Sequence, residues 1–132
     1  MYLLDTNILV YAYRNQGQCR VKLEAHNPAD IFICAITVAE IEYGIAKSLR
    51  PDGLRLFLAD VKNRHTLQAL SWEAAAQSGQ LRALLERQGQ PIGSHDLLIA
   101  GIALAHDLIV VTRNTREFER VPGLRLENWY DQ

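Results

Sequence analysis

Apolar positions along this chain fall into short unbroken runs separated by longer stretches with helical spacing. Tyr2-Leu3-Leu4, Ile31-Phe32-Ile33-Cys34 and Leu108-Ile109-Val110-Val111-Thr112 are the unbroken runs, and the last is the clearest. Continuous rather than alternating apolarity suits strands buried on both faces, as in a parallel sheet. Thr66 to Leu70 predicts a further short strand. Helical spacing begins at Thr6 and runs to Tyr13, then recurs from Val38 to Ser48 and after Pro51, where Leu54, Leu58 and Val61 share a stripe. Ser71 predicts a cap for a helix over Glu73 to Gln88, with Leu81, Leu84 and Leu85 on one face. Ser94 predicts a cap for a helix through His106. That segment is apolar almost all round (Leu97, Leu98, Ile99, Ala100, Ile102, Ala103, Leu104, Ala105), as expected of a buried central helix. Strands alternating with helices predict an α/β fold, a short central parallel sheet flanked by helices, with residues 1–132 as one domain.

Composition adds limits rather than a function. The 132 residues can bury a real core without staples. A formal net charge of −1 argues against a protein that coats nucleic acid by bulk charge. It leaves room for an enzyme with local acid to hold metal and local base to hold phosphate. Cys19 and Cys34 lack any CxxC spacing and sit among apolar residues, which predicts two buried reduced thiols and a cytoplasmic setting. The N-terminal residues carry no charged region ahead of a long apolar stretch, so no signal peptide is expected. The run from Leu97 to Ala105 is too short to span a bilayer, so no membrane association is expected.

Four acids stand where a solvated face does not account for them. Asp5 directly follows the first strand, Glu40 opens the helix after the second, Asp96 opens the buried helix, and Glu117 follows the strand ending at Thr112. Ligand sites in open parallel sheets form at the carboxyl ends of strands. Each acid also has a plainer reading. Asp5 can cap a helix, Thr37 to Glu40 forms a capping box, Asp96 suits a positive helix terminus, and Glu117 can be a surface residue. Together the plain readings leave unexplained why apolar elements would bring several carboxylates to one sheet edge. Clustered carboxylates repel, and a divalent cation such as Mg²⁺ or Mn²⁺, which prefers oxygen ligands, removes that cost. The four histidines form no ligand pair, and only His95, beside Asp96, is placed to approach a substrate.

These residues carry a resemblance. Leu4-Asp5-Thr6-Asn7, Ile36-Thr37-Val38-Ala39-Glu40-Ile41-Glu42-Tyr43-Gly44, Pro91-Ile92-Gly93-Ser94-His95-Asp96 with Ile99-Ala100, and Val111-Thr112-Arg113-Asn114-Thr115-Arg116-Glu117-Phe118 occur in order, followed by Val121-Pro122-Gly123-Leu124-Arg125 and Trp129. The chain resembles the PIN-domain ribonucleases, specifically the VapC toxins of bacterial toxin–antitoxin pairs, nearly end to end. The resemblance implies a PIN-like fold, Asp5, Glu40 and Asp96 as Mg²⁺ or Mn²⁺ ligands, endonucleolytic cleavage of RNA, a homodimer and a small cognate antitoxin. It further implies transfer RNA as substrate, often the initiator, cut in the anticodon loop. Many PIN domains carry Asp where this chain has Asn114; Glu117, three residues later, can supply the missing carboxylate, and a second metal site is expected to be weak until substrate phosphate completes it.

The expected chemistry is metal-assisted phosphodiester hydrolysis. Asp5 and Asp96 would be the main ligands, with Glu40 and Glu117 binding directly or through water. Thr6, Asn7, Thr112 and Asn114 would orient them by hydrogen bonding. Arg113, Arg116, Arg120 and Arg125 cluster past the last predicted strand and are candidates for RNA phosphate contacts. Two rivals stand beside this reading. One is a phosphatase with an aspartyl nucleophile, which would lack its second Asp because Asn7 occupies that place. The other is a non-catalytic, degenerate PIN module that binds RNA.

Overall fold

A computed structural model describes all of residues 1–132. Five strands, β1 (Tyr2–Leu4), β2 (Ile31–Cys34), β3 (Thr66–Gln68), β4 (Ile109–Val111) and β5 (Leu126–Glu127), form one sheet in the order β3-β2-β1-β4-β5. All four pairings are parallel, with Tyr2 opposite Ile31 on one side and Ile109 on the other. The helices are α1 (Thr6–Arg14), α2 (Cys19–Ala25), α3 (Ala35–Lys47), α4 (Asp52–Arg64), α5 (Trp72–Arg87), α6 (Ser94–His106) and the short α7 (Thr115–Phe118).

The pleat explains the unbroken apolar runs. Leu3 and Val110 point into a core shared with α5, α6 and α7, whereas Leu4 and Val111 point into a second core shared with α1, α3 and α4. A strand flanked on both faces needs apolar residues at every position. As expected, α6 is the buried helix: Leu97, Ile99, Ala100, Gly101, Ile102 and Ala103 are all buried. It packs closely on α5, because Gly101 lies where a Cβ would collide with Ser78 Oγ and would stand 2.6 Å from the Ala74 carbonyl oxygen. Ser78 Oγ donates at 3.0 Å to the Leu97 carbonyl oxygen across the same contact. Ser71 caps α5 as predicted, accepting from the Ala74 N–H at 3.1 Å.

Several boundaries differ from the sequence reading. α3 starts at Ala35, three residues before the predicted Val38, with Cys34 at its N-cap. Thr37 is therefore inside the first turn, fully buried, its hydroxyl 3.6 Å from the Cys34 thiol, and the Thr37–Glu40 capping box does not form. Ser94 is the first residue of α6 rather than its cap. Gly93 takes the N-cap position without a side-chain bond. β3 ends two residues before the predicted Leu70. α2, α7 and β5 were not predicted at all.

The C-terminal segment closes the fold. Trp129 is fully buried, stacked on His26 at 4.6 Å, and its indole N–H donates to Glu127 Oε1 at 2.9 Å. Tyr130 lies against Gly17, where φ is +60° and a Cβ would stand 2.6 Å from the Tyr130 carbonyl oxygen. Only glycine meets both demands there. Both cysteines are free and buried, as predicted. No helix is long and apolar enough to cross a membrane.

Candidate active site

The strand order fixes where a site can form. From β1 the sheet grows through β2 and β3 on one side and through β4 and β5 on the other. Between β1 and β4 the succession of strands reverses, and the crevice at their carboxyl ends is the usual ligand position in open α/β sheets. Asp5 follows β1 directly, and its N–H extends the ladder to the Val111 carbonyl at 2.9 Å. Thr112 follows β4. Its hydroxyl donates to Asp5 Oδ2 at 2.8 Å, the Asn7 amide donates to the same oxygen at 3.3 Å, and the Thr6 N–H donates to Oδ1 at 2.8 Å. Asp5 caps α1 and also faces the crevice, so its two readings coexist. Burial pushes its carboxyl above the usual range, the hydrogen bond from Thr112 opposes that most strongly, and the Glu40 charge adds to it.

The early start of α3 places Glu40 in the second turn of the helix. The Thr6 hydroxyl donates to Glu40 Oε1 at 2.9 Å, and His95 Nδ1 lies 3.7 Å from Oε2. Asp96 comes in on the first turn of α6. Its carboxyl is pushed up to about 7, first by burial and then by the charges of Asp5, Glu117 and Glu40. Glu117, on α7, is pushed the other way. The Asn114 amide donates to its Oε2 at 2.8 Å, and the Gly93 N–H donates to its Oε1 at 2.6 Å. The two acids are therefore driven apart, Asp96 upward and Glu117 downward, so Asp96 takes up a proton more readily than Glu117 does. The Asn114 amide also reaches Asp96 Oδ2 at 3.4 Å, so one neutral side chain braces both carboxylates.

Asp5, Glu40, Asp96 and Asn114 line one cleft of about 410 Å³, together with Thr6, Asn7 and three residues absent from the sequence reading: Val10, Tyr11 and Arg14. Helical spacing along α1 (6, 10, 14) would have put Val10 and Arg14 on the face next to Asp5. Glu117 is not part of that lining; it contacts the cleft through Asn114 and Asp96. The cleft lining includes no histidine or cysteine, and burial together with the neighbouring carboxylates raises the Asp96 carboxyl. That donor chemistry suits a hard divalent cation. No three of these side chains are yet drawn into a metal-holding cluster, so a cation would have to pull them closer.

The predicted arginines scatter. Arg113 leans on the Tyr130 ring at 3.6 Å and donates to the Tyr11 hydroxyl at 3.1 Å. Arg120 donates to the Pro91 carbonyl at 2.8 Å, and Arg125 pairs with Asp107 at 2.9 Å. Arg116 is exposed. A larger cavity, about 650 Å³, lies between α3, α4 and the β3 edge, floored by Ile33, Val38, Leu58 and Val61. Glu42 is the only acid in its lining, so it offers no cluster of carboxylates.

A family model described as the PIN domain matches residues 2–124. The chain belongs to the PIN-domain family. This PIN domain is 38% identical over 128 residues to the protein named tRNA(fMet)-specific endonuclease VapC of Salmonella typhimurium, covering 97% of each chain. It is 40% identical over 130 residues to the protein of that name from Shigella flexneri, again with 97% of each covered. Among solved structures, a chain of VapBC2 from Rickettsia felis bound to a promoter DNA fragment is similar with a TM-score of 0.88 and 37% identity. That match covers 97% of this chain and 98% of the other. DNA-bound VapBC from Salmonella typhimurium gives the same TM-score and identity over 97% of each. The PIN domain here is of the VapC type.

Proposed function

We propose that this chain is a divalent-cation-dependent endoribonuclease, the toxin of a toxin–antitoxin pair, which hydrolyses transfer RNA and above all the initiator. The observation that carries the reading is the convergence of Asp5, Glu40 and Asp96, from three separate elements, on one cleft at the sheet's switch point. The similarity to proteins named as tRNA(fMet)-specific endonucleases supports the substrate class.

Asp5 and Asp96 would hold the cation, Mg²⁺ or Mn²⁺, with Glu40 completing the set. When bound, the cation polarises the scissile phosphate and lowers the pKa of an attacking water. The chain's own residues supply the rest. Thr112 and Asn7 both donate to Asp5 Oδ2 and orient its carboxyl, and Thr6 orients Glu40. Asn114 and the Gly93 N–H hold Glu117 charged beside Asp96. The raised carboxyl of Asp96 takes up a proton more readily than an ordinary carboxylate, and a bound cation would favour its ionised form. Orienting donors of this kind keep carboxylates at a geometry that they would otherwise leave by repulsion.

The phosphatase reading fares worse. Its general acid would stand at Asn7, which is an amide that donates to Asp5 and has no proton to transfer. A non-catalytic module would gain nothing from repelling carboxylates in a cleft. We infer further that the chain pairs with a small antitoxin, acts as a homodimer and works in the reducing cytoplasm, where free buried thiols persist.

The test uses purified chain freed of any antitoxin. It should cut structured RNA with Mg²⁺ or Mn²⁺ and stop in excess EDTA. Undiminished cutting in EDTA would refute the metal reading. Expression of the chain alone should arrest growth, and co-expression of the adjacent small gene should relieve it.

A further inference from the structure

A polyanion must approach a cleft of like charge, so cations on its flanks have to hold it. Three of the four arginines past β4 are engaged: Arg113 by Tyr130 and Tyr11, Arg120 by the Pro91 carbonyl, Arg125 by Asp107. The other side of the carboxylates differs. A second cleft of about 400 Å³ adjoins the first and shares Thr6, Val10, Arg14 and Glu40 with it. It continues between α1 and the α3–α4 connection to Ser48 and Arg50. Arg14 and Arg50 are both exposed, and neither enters any ion pair of the molecule. A basic residue ending a helix commonly turns back to the last carbonyls. Here Arg20 has taken them, donating to the Ala12 and Tyr13 carbonyls at 2.9 and 2.7 Å, which leaves Arg14 to the cleft. Arg50 sits in a short turn whose backbone is fixed by its N–H donating to Ser48 Oγ at 3.1 Å. The α1 face from Thr6 to Arg14 spans about 12 Å at 1.5 Å per residue, so the cations stand beside the acids rather than among them.

We infer that the Arg14–Ser48–Arg50 cleft is a subsite for the RNA backbone on one side of the scissile bond. Resting on the ribonuclease reading, it gives the polynucleotide its direction across the acids. Arg14 takes the phosphate nearer the cut and Arg50 a farther one, and neither reads base identity.

The experiment measures binding of a fluorescently labelled single-stranded RNA oligonucleotide by anisotropy in EDTA, over a series of salt concentrations. Cutting of the same RNA in Mn²⁺ is followed in parallel. Each lost phosphate contact should lower the salt slope by about 0.7 and weaken binding about five-fold at 0.1 M salt. Arg14→Ala combined with Arg50→Ala should therefore lose about 25-fold in affinity and about 1.4 in slope. Arg14→Lys with Arg50→Lys should recover most of both. Lys62→Ala with Arg64→Ala, at the far end of α4, removes the same charge and should change neither. If intact chain cuts the RNA while the double alanine variant binds with unchanged affinity and slope, the subsite is overturned and the ribonuclease reading stands. If the Lys62/Arg64 variant weakens binding as much, the effect is bulk charge and the subsite is again overturned. Intact chain that neither binds nor cuts RNA overturns both.

Discussion

Asp96→Asn is expected to stabilise the metal-free protein while destroying its activity. The Asp96 carboxyl is pushed from an ordinary value near 3.8 to about 7 by burial and by Asp5, Glu117 and Glu40. At 1.36 kcal/mol per unit, that displacement is a cost of about 4 kcal/mol for the ionised form. The carboxyl is only half buried, so solvent screening reduces this to about 1–2 kcal/mol. Asn has the same shape and carries no charge. It forfeits the favourable interaction of a negative charge with the α6 N-terminus, about 0.5 kcal/mol. The net gain is about 1 kcal/mol, or a rise in Tm of about 4 °C for a chain of this size. The sign can be followed with pH. Because the folded-state pKa is raised, wild-type stability is full below about pH 4 and is lost as pH climbs through 7. The advantage of Asn should thus be greatest at pH 8 and vanish towards pH 4. Thermal unfolding in EDTA at pH 8, 6 and 4 reads this directly. Mn²⁺ should then stabilise wild type by mass action and the variant much less. An Asp96→Asn protein that is less stable than wild type at pH 8 in EDTA, or equally stable at every pH, would show that Asp96 merely serves the positive end of its helix.

Four further changes probe the surroundings. Asn114→Asp replaces the amide that braces Asp96 and Glu117 with a fifth acid. It should lower the Mn²⁺ concentration needed for half-maximal RNA cleavage and lower Tm in EDTA, and Glu117→Gln should raise that Mn²⁺ concentration. Thr112→Val removes the hydroxyl donor to buried Asp5 Oδ2. It should cost about 1–3 kcal/mol by denaturant unfolding, with slower cleavage. Gly101→Ala forces a methyl against Ser78 and the Ala74 carbonyl, and overpacking of this sort should cost about 1–3 kcal/mol. Because α6 carries Asp96, cleavage should fall with it, and Gly101→Ala combined with Ser78→Ala should recover part of the Tm.

The legible parts of this sequence were those written in one dominant signal. β1, β2 and β4 are buried on both faces and so are apolar throughout, and α6 lies between sheet and α5 and so is apolar all round. Asp5 and Asp96 stood out because one directly follows the first strand and the other opens the buried helix. Glu40 was harder. Thr37 to Glu40 has the residues of a capping box, and only the burial of Thr37 against Cys34 moves the helix start back to Ala35. β5 is two half-buried residues, and what holds it is the buried Trp129 beyond it, a tertiary cause with no local pattern. α2 buries only Cys19, too little for a periodic stripe. The cleft residues Val10, Tyr11 and Arg14 were hidden for a different reason. Their types carry no chemistry alone, and they matter only because α1 starts at Asp5 and runs along the cleft.

The central claim is that Asp5, at the meeting of β1 and β4, is part of a cation-dependent site for cutting RNA. Its most direct test is cleavage of transfer RNA by Asp5→Asn and by intact chain, side by side, across a Mn²⁺ titration and in EDTA. Asn also caps helices well, so the variant should fold with a stability change of about 1 kcal/mol or less. The account predicts cleavage by intact chain that rises with Mn²⁺ and disappears in EDTA, with a loss of orders of magnitude in the variant at every concentration. A folded Asp5→Asn protein that cuts as fast as intact chain would contradict it.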